Sequence, residues 1–309
     1  MSIRKNDILG IENKFRGETV LMRILITGNR SYVGINLKRW LSQWPDKYSV
    51  DSISLKNDEW KNKDFSKYDV LFHTAAIVHK KEKSEMKDIY YRINRDLTVE
   101  VAKKAKKEGV KQFIFMSSMS VYGLDGKIGE EVVITKATRC IPTTLYGKSK
   151  LEAENELKKL EDGQFCITII RAPMVYGPNC PGNYTRLKKL VMKTRVFPMV
   201  NNKRSMIFID NLCEFIRLLI DNRESGLFFP QNKEYVNTSE LVRLITKENS
   251  KNIYFSRILT YGINLFGKRV SVLNKVFGNL VYDLDLSSYK DFGYYVVDFE
   301  KSIELCEKK

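Results

Sequence analysis

The 309-residue sequence contains no run of about 18 uninterrupted apolar residues, so its pattern excludes a membrane-spanning helix. Its first 21 residues, Met1 to Leu21, are polar and charged and lack the apolar centre of a secretory signal. Only two histidines occur. The five cysteines, at 140, 166, 180, 213 and 306, form no close pair of the metal-binding kind, and their odd number argues against a complete set of internal disulfides. No metal is expected, and a reducing, cytoplasmic setting fits. Acids are also in short supply, with 37 Asp and Glu against 53 Lys and Arg, a formal net charge of +16. That balance invites an anionic partner. The bases are nonetheless spread along the chain, as in Lys103-Lys104, Lys106-Lys107 and Lys188-Lys189, which reads as solvated helix faces. With no RNA-binding aromatic signature and no Cys/His finger, nucleic acid is not an expected partner.

What is present is ordinary for a soluble globular protein: 43% apolar and 29% charged residues. The length suits one large α/β domain, or a core with a smaller lobe. Met22 directly precedes the first strong strand, Arg23 to Thr27, so residues 1–21 are expected to be a loose extension or the product of an upstream start. After that strand come Gly28-Asn29-Arg30-Ser31-Tyr32-Val33-Gly34 and an amphipathic run from Ile35 to Trp44. Strand, glycine turn and helix together are the context in which a glycine fingerprint means dinucleotide binding. Gly28 permits the tight turn, and Gly34 lets the helix approach the strand while its first amides face a pyrophosphate. Ser31 stands where the usual pattern has a middle glycine, and is small enough for close approach. A second strand, about Ser49 to Leu55, runs into Lys56 with no acidic residue to hold a ribose 2′-hydroxyl. Arg30 and Lys56 are instead positioned for a 2′-phosphate. NADP(H) is favoured, with NAD(H) kept open.

Asp69 to Ala76 reads as a strand ending in small residues, Ala75 and Ala76, over which a cofactor can lie. His73 reads as a structural residue fixing the turn there. A helix is predicted over about Tyr90 to Glu108, carrying Asn94 and Thr98, and a strand over Val110 to Met116 opens into Ser117-Ser118-Met119-Ser120. Hydroxyls at the carboxyl end of a parallel strand sit where open α/β sheets bind ligands. In Tyr146-Gly147-Lys148-Ser149-Lys150 a phenol and an ammonium fall on one helix face. A cation beside a phenol lowers its pKa; bringing it near neutrality takes roughly three units, about 4 kcal/mol. Taken alone, the pair reads first as a surface contact.

Five segments in order resemble the extended short-chain dehydrogenase/reductases, the NAD-dependent epimerase/dehydratase family. They are the TGxxxxxG loop (Thr27 to Gly34), DxxxHxAA (Asp69 to Ala76), SSxxVYG (Ser117 to Gly123), YxxxK (Tyr146, Lys150) and RxPxVYGP (Arg171 to Pro178). The resemblance implies a Rossmann-type, doubly wound parallel sheet over residues 22–170. A smaller lobe, mainly 171–309, would bind a nucleotide sugar, with some segments returning to the core. It implies Gly28, Arg30, Ser31, Tyr32, Val33, Gly34, Lys56, Ala75, Ala76, Tyr146 and Lys150 at the cofactor. Tyr146 would be the acid or base, Lys150 its tuner and the ribose ligand, and Ser118 the hydrogen-bond partner of the reacting sugar oxygen, with Ser120 beside the substrate. Asn183, at a helix start in Asn179-Cys-Pro-Gly-Asn183, and Arg204, in an Arg-x-x-x-x-x-Asp pattern ending at Asp210, would meet the diphosphate.

Dehydratases of the family carry an Asp-Glu pair after the strand-end hydroxyl, where this chain has Met119 and Ser120. Elimination needs an acid and a base there, so it is rejected. Two reactions remain: a 4-epimerase with bound NAD, and a one-way 4-keto reductase using NADPH. Asp69 to His79, Pro142-Thr-Thr, Cys180-Pro-Gly-Asn183 and Phe277 to Tyr282 are similar to capsule-pathway reductases that form UDP-N-acetyl-D-fucosamine, and favour the second. A non-catalytic dinucleotide-binding protein is the third reading, disfavoured because Tyr146 and Lys150 are both present. The implied partner is a UDP-sugar, and relatives leave a homodimer open. The basic, aromatic tail from Ile253 to Asp283 has the composition of a surface that lies on a membrane, beside membrane-bound glycan machinery. The resemblance instead implies that it packs within the substrate lobe.

Overall fold

The structure, a computed structural model, describes residues 21–78, 82–289 and 292–308. Strand β1 (Met22–Thr27) leads through helix α1 (Tyr32–Leu41) to β2 (Tyr48–Ile53), which pairs with it in parallel from Met22 opposite Tyr48 to Thr27 opposite Ile53. After the single turn α2 (Glu59–Asn62), the chain crosses to the other side of β1 as β3 (Val70–His73). Helix α3 (Lys87–Tyr91), a π turn over Arg92–Asp96 and α4 (Leu97–Lys107) follow without a break, then β4 (Gln112–Ser118). Next come the short β5 (Val133–Ile134), α5 (Leu145–Lys158), β6 (Cys166–Ala172) and β7 (Met174–Tyr176). The remainder runs α6 (Asn183–Lys193), β8 (Val196–Pro198), β9 (Met206–Phe208), α7 (Ile209–Asp221) and β10 (Gly226–Phe228). It ends with α8 (Thr238–Glu248), β11 (Tyr254–Ser256), α9 (Arg257–Phe266), α10 (Ser271–Phe277), β12 (Val281–Tyr282) and α11 (Phe299–Glu307).

Strands lie in the order β2-β1-β3-β4-β6-β10, all pairs parallel. This is the doubly wound sheet expected from the sequence. Side chains alternate between its faces: Ile24, Ile26, Phe72, Ile114 and Ile170 join the core under α1, α7 and α8. Leu25, Leu71, Phe113, Phe115, Ile167 and Ile169 join the core under α4 and α5. Burial on both sides is why these strands read as continuous apolar runs. The chain reverses its winding between β1 and β3, so the crevice at their carboxyl ends is the topological switch point.

Part of the second half returns to the core. β10 extends the main sheet, and α7 seats on α1 through Arg39–Asp210 (2.5 Å) and a Trp40 indole N–H donated to Glu214 (2.9 Å). Other segments form small parallel pairs, β7 with β9, β8 with β11 and β5 with β12.

Several boundaries differ from the sequence reading. Helix α1 begins at Tyr32 instead of Ile35 because the Ser31 hydroxyl accepts from the Gly34 amide (3.2 Å) and caps it. The helix predicted over 90–108 starts at Lys87 and is interrupted by the π turn. The tail expected to pack within the lobe does so only in part: Gly267 and Phe277 are buried, whereas α9 has no buried residue. Residues 1–20 of the expected extension, and His79, lie outside the described residues.

Candidate active site

The turn after β1 is shaped by glycine. Gly28 has φ +88°, and a Cβ there would fall 2.9 Å from Thr74 Oγ1 and 3.0 Å from the Ala75 nitrogen. At Gly34 it would fall 3.0 Å from Ile26 Cγ2, so α1 lies as close to β1 as backbone allows. Ala75 and Ala76 leave the end of β3 half-exposed beside this turn. The first-turn amides of Tyr32 and Val33 have no carbonyl within α1 to receive them, as at any helix start. A pyrophosphate fits the unpaired amides of this helix start, and a side chain at Gly28 would push the turn away from the β3 loop. Side chains at the two positions turn elsewhere: the Tyr32 hydroxyl donates to the Pro178 carbonyl (3.1 Å), and Val33 packs against the core.

β2 ends level with this turn, the Gly28 amide donating to the Ile53 carbonyl (3.0 Å). No carboxylate follows directly. Asp51 accepts from the Tyr68 hydroxyl (2.5 Å), and Asp58 pairs with Lys61 (3.1 Å). Arg30 and Lys56 are both exposed.

Helix α5 carries the tyrosine and lysine. Its start is capped twice: Thr144 Oγ1 accepts from the Gly147 amide (3.0 Å), and the Glu82 carboxylate accepts from the Leu145 and Tyr146 amides (2.8 and 3.0 Å). Gly147 allows the helix to touch the β4 end, because a Cβ there would lie 2.5 Å from the Ser120 carbonyl oxygen. That approach brings Tyr146 alongside Ser118, whose hydroxyl accepts from the Ser120 amide and donates to Ser120 Oγ (both 3.1 Å). One turn further, Lys150 is fully buried, donates to the Met116 carbonyl (2.7 Å) and stands 4.3 Å from the Phe115 ring centre.

Burial pushes Tyr146 up to about 12, Ser118 opposing by hydrogen bonding and Tyr90 adding to the rise. Burial brings Lys150 itself down to about 7, against the pull of Glu154. Its nitrogen lies 6.0 Å from the Tyr146 ring centre and is engaged by a backbone carbonyl. In the protein alone, Tyr146 is therefore a proton donor throughout the neutral range.

A buried polar frame, largely silent in the sequence, holds these groups. His73 is wholly buried between Thr27 Oγ1 (2.8 Å) and Thr98 Oγ1 (3.0 Å), and burial, with Lys150, lowers it to about 3. It is a neutral strut. Asn94, in the π turn, accepts from the Ile77 amide (2.8 Å) and donates to Ser149 Oγ (3.1 Å), tying the β3 loop to α5. Ser117 donates to Glu154 (2.5 Å), which pairs with Arg171 (2.6 Å), and Arg171 donates to the Tyr122 hydroxyl (2.8 Å). The sequence offered no local signal for Glu82 or Glu154, whose partners lie 63 and 17 residues away. Gly147 was visible only as a glycine inside a helix.

On the substrate side, Asn183 is exposed at the first position of α6. Arg204 is half-buried in a backbone bridge to Val236 and Leu280, and its side chain donates to the Gly278 carbonyl (3.0 Å). Burial lowers its pKa, with Asp125 opposing. Met119 packs into the small core around Tyr122 and Tyr282, and supplies neither acid nor base.

The profile of the NAD dependent epimerase/dehydratase family matches residues 24–229. The UDP-glucose 4-epimerase of Vibrio cholerae is 31% identical over 287 residues, covering 84% of this chain and 87% of that protein. The N-acetyl-alpha-D-glucosaminyl-diphospho-ditrans,octacis-undecaprenol 4-epimerase of Escherichia coli O157:H7 is 29% identical over 218 residues, 67% of this chain and 64% of that one. Similar folds include the UDP-glucuronic acid 4-epimerase of Bacillus cereus in complex with NAD (TM-score 0.70, 18% identity, 93% and 97% coverage). A dTDP-4-dehydrorhamnose reductase of Clostridium acetobutylicum has TM-score 0.68 and 20% identity, with 92% and 97% coverage.

Proposed function

The chain belongs to the NAD-dependent epimerase/dehydratase family, and on that premise we propose that it reduces the C4 carbonyl of a UDP-4-keto-6-deoxy-N-acetylhexosamine with NADPH. The product would be UDP-FucNAc or UDP-QuiNAc, for capsule or surface polysaccharide. The proposed setting is the cytoplasm, beside membrane-bound glycan assembly. The observation that carries the reading is the end of β2, where Ile53 meets the Gly28 amide and no carboxylate follows before Lys56. A carboxylate there would repel a 2′-phosphate, and Arg30 and Lys56 attract one.

The residues divide the work. Gly28, Ser31 and Gly34, with the amides of Tyr32 and Val33, hold the diphosphate, while Ala75 and Ala76 leave room at the sheet edge. The bound nicotinamide supplies the hydride. Ser118 holds the sugar O4 by hydrogen bonding, and Tyr146 gives it a proton as the alcohol forms. A protonated phenol, which burial favours here, is the form that this step requires. Arg204, with one backbone carbonyl as its side-chain partner among the described residues, receives the substrate diphosphate, with Asn183 beside it.

A second reading, a 4-epimerase retaining NAD, is favoured by the Vibrio cholerae relative, a UDP-glucose 4-epimerase. Cofactor use separates the two. With the 4-keto-6-deoxy sugar nucleotide, NADPH should be oxidised faster than NADH by at least about tenfold, and removing Arg30 and Lys56 together should shrink that ratio. A preference for NADH in the unaltered protein contradicts the proposal.

A further inference from the structure

From Asn249 to Tyr282 the chain holds five bases, Lys251, Arg257, Lys268, Arg269 and Lys275, and no acid. Within it, α9 turns a broad apolar face outward. Ile258, Tyr261 and Leu265, spaced three and four apart, are 85%, 71% and 57% exposed, and Phe266 on the next row is 69% exposed. Opposite them, Ile263 packs on the core and the Thr260 hydroxyl accepts from the Met199 amide (2.8 Å), so the helix is held in place by its inner side. Val272, 69% exposed, continues the patch past Lys268 and Arg269. Isolated exposed apolar residues are normal; a group of them on one helix face, flanked along the chain by Arg257, Lys268 and Arg269, marks a docking face.

We propose that this face seats the enzyme on an anionic phospholipid surface, with the α9 aromatic and aliphatic side chains in the interface and the bases at the headgroups. Charge selects among occupants. A second copy docking symmetrically would set the exposed Arg257, Lys268, Arg269 and Lys275 against their own copies. Nucleic acid would satisfy the bases but leave Ile258 and Leu265 in water. A bilayer with anionic headgroups satisfies both. Among the described residues no helix is long and apolar enough to cross a membrane, so attachment is peripheral.

The face is joined to the substrate side. A Cβ on Gly267 would lie 2.9 Å from Ile128 Cδ1, in the loop after Ser118 to Gly123, and the Gly278 carbonyl receives Arg204.

The test is co-sedimentation of the full chain with vesicles of phosphatidylcholine containing phosphatidylglycerol, against phosphatidylcholine alone. At least tenfold more protein should pellet with the anionic vesicles, and raising salt from about 0.1 to 0.5 M should release most of it. Ile258→Glu combined with Phe266→Glu should lower binding at least tenfold. Lys268→Gln combined with Arg269→Gln, which spares the apolar face, should reduce the preference for anionic lipid, and decides the matter if the first variant fails to fold. Three results overturn the proposal: unaltered protein staying in the supernatant, charge variants pelleting undiminished, or a concentration-dependent dimer that the α9 substitutions dissociate. None of these readouts uses turnover, so the reaction assigned above stands or falls separately.

Discussion

The Lys150 ammonium nitrogen lies 2.7 Å from the carbonyl oxygen of Met116, so the lysine of the YxxxK pair is tied to the end of β4 instead of to its tyrosine. Burial brings its pKa down to about 7 from an ordinary 10.5. Between those values the unfolded chain keeps a proton that the folded chain has lost. The lysine's contribution to stability therefore rises with pH across that window and is least favourable below 7. Thermal melts should show Lys150→Met gaining most over the unaltered protein at about pH 6, by up to a few kcal/mol, with the advantage shrinking toward pH 10. A pH-independent difference would mean that Lys150 is not desolvated.

Tyr146→Phe removes the proposed proton donor while leaving the ring. The rate of reduction should fall by about 10²–10⁴-fold, with nicotinamide affinity changed little by fluorescence titration. Since burial holds the phenol near 12, kcat/KM should show no loss assignable to Tyr146 between about pH 6 and 9. Unchanged turnover in the phenylalanine variant would remove the residue from the mechanism.

At Gly147 the fit is set by backbone. Alanine there would place Cβ 2.5 Å from the Ser120 carbonyl, forcing the start of α5 away from the Ser118 turn. Stability should drop by about 1–3 kcal/mol in denaturant melts, and kcat should fall by more than the loss of folded protein explains. Full activity in the alanine variant would show that the close approach is dispensable.

Arg204 carries the substrate-side prediction. Arg204→Ala should raise KM for the sugar nucleotide by about 10–100-fold, the range of one or two charge-assisted hydrogen bonds, and leave cofactor binding as it was. Lysine should rescue little, because it lacks the planar fork. Equal effects on cofactor and sugar nucleotide would point to a folding role through its hydrogen bond to the Gly278 carbonyl.

What the sequence conveyed was what lies close along the chain. Gly28 and Gly34 announced a dinucleotide turn because strand, turn and helix are contiguous. Tyr146 and Lys150 share a helix face by spacing alone, and Met119 offers neither acid nor base by its chemistry. Partnerships across the fold carried no such signal. Lys150 meets Met116, 34 residues earlier; Glu82 caps α5 from the β3 loop; and Glu154 pairs with Arg171 between a helix and a strand. Spacing gave the adjacency of Tyr146 and Lys150 but not the burial of the lysine. The tail was legible in part: composition described its amphipathic character, but which residues of α9 stay exposed depends on what the rest of the fold leaves uncovered.

The central claim is a one-way reduction at C4, and the product of the reaction tests it most directly. Incubation of the UDP-4-keto-6-deoxy-N-acetylhexosamine with NADPH, followed by mass spectrometry and proton NMR, should give a sugar nucleotide heavier by two hydrogens, with one new C4 proton and one NADPH consumed per product. Recovery of the unreduced 4-keto sugar, together with interconversion of UDP-GlcNAc and UDP-GalNAc without net cofactor use, would contradict it.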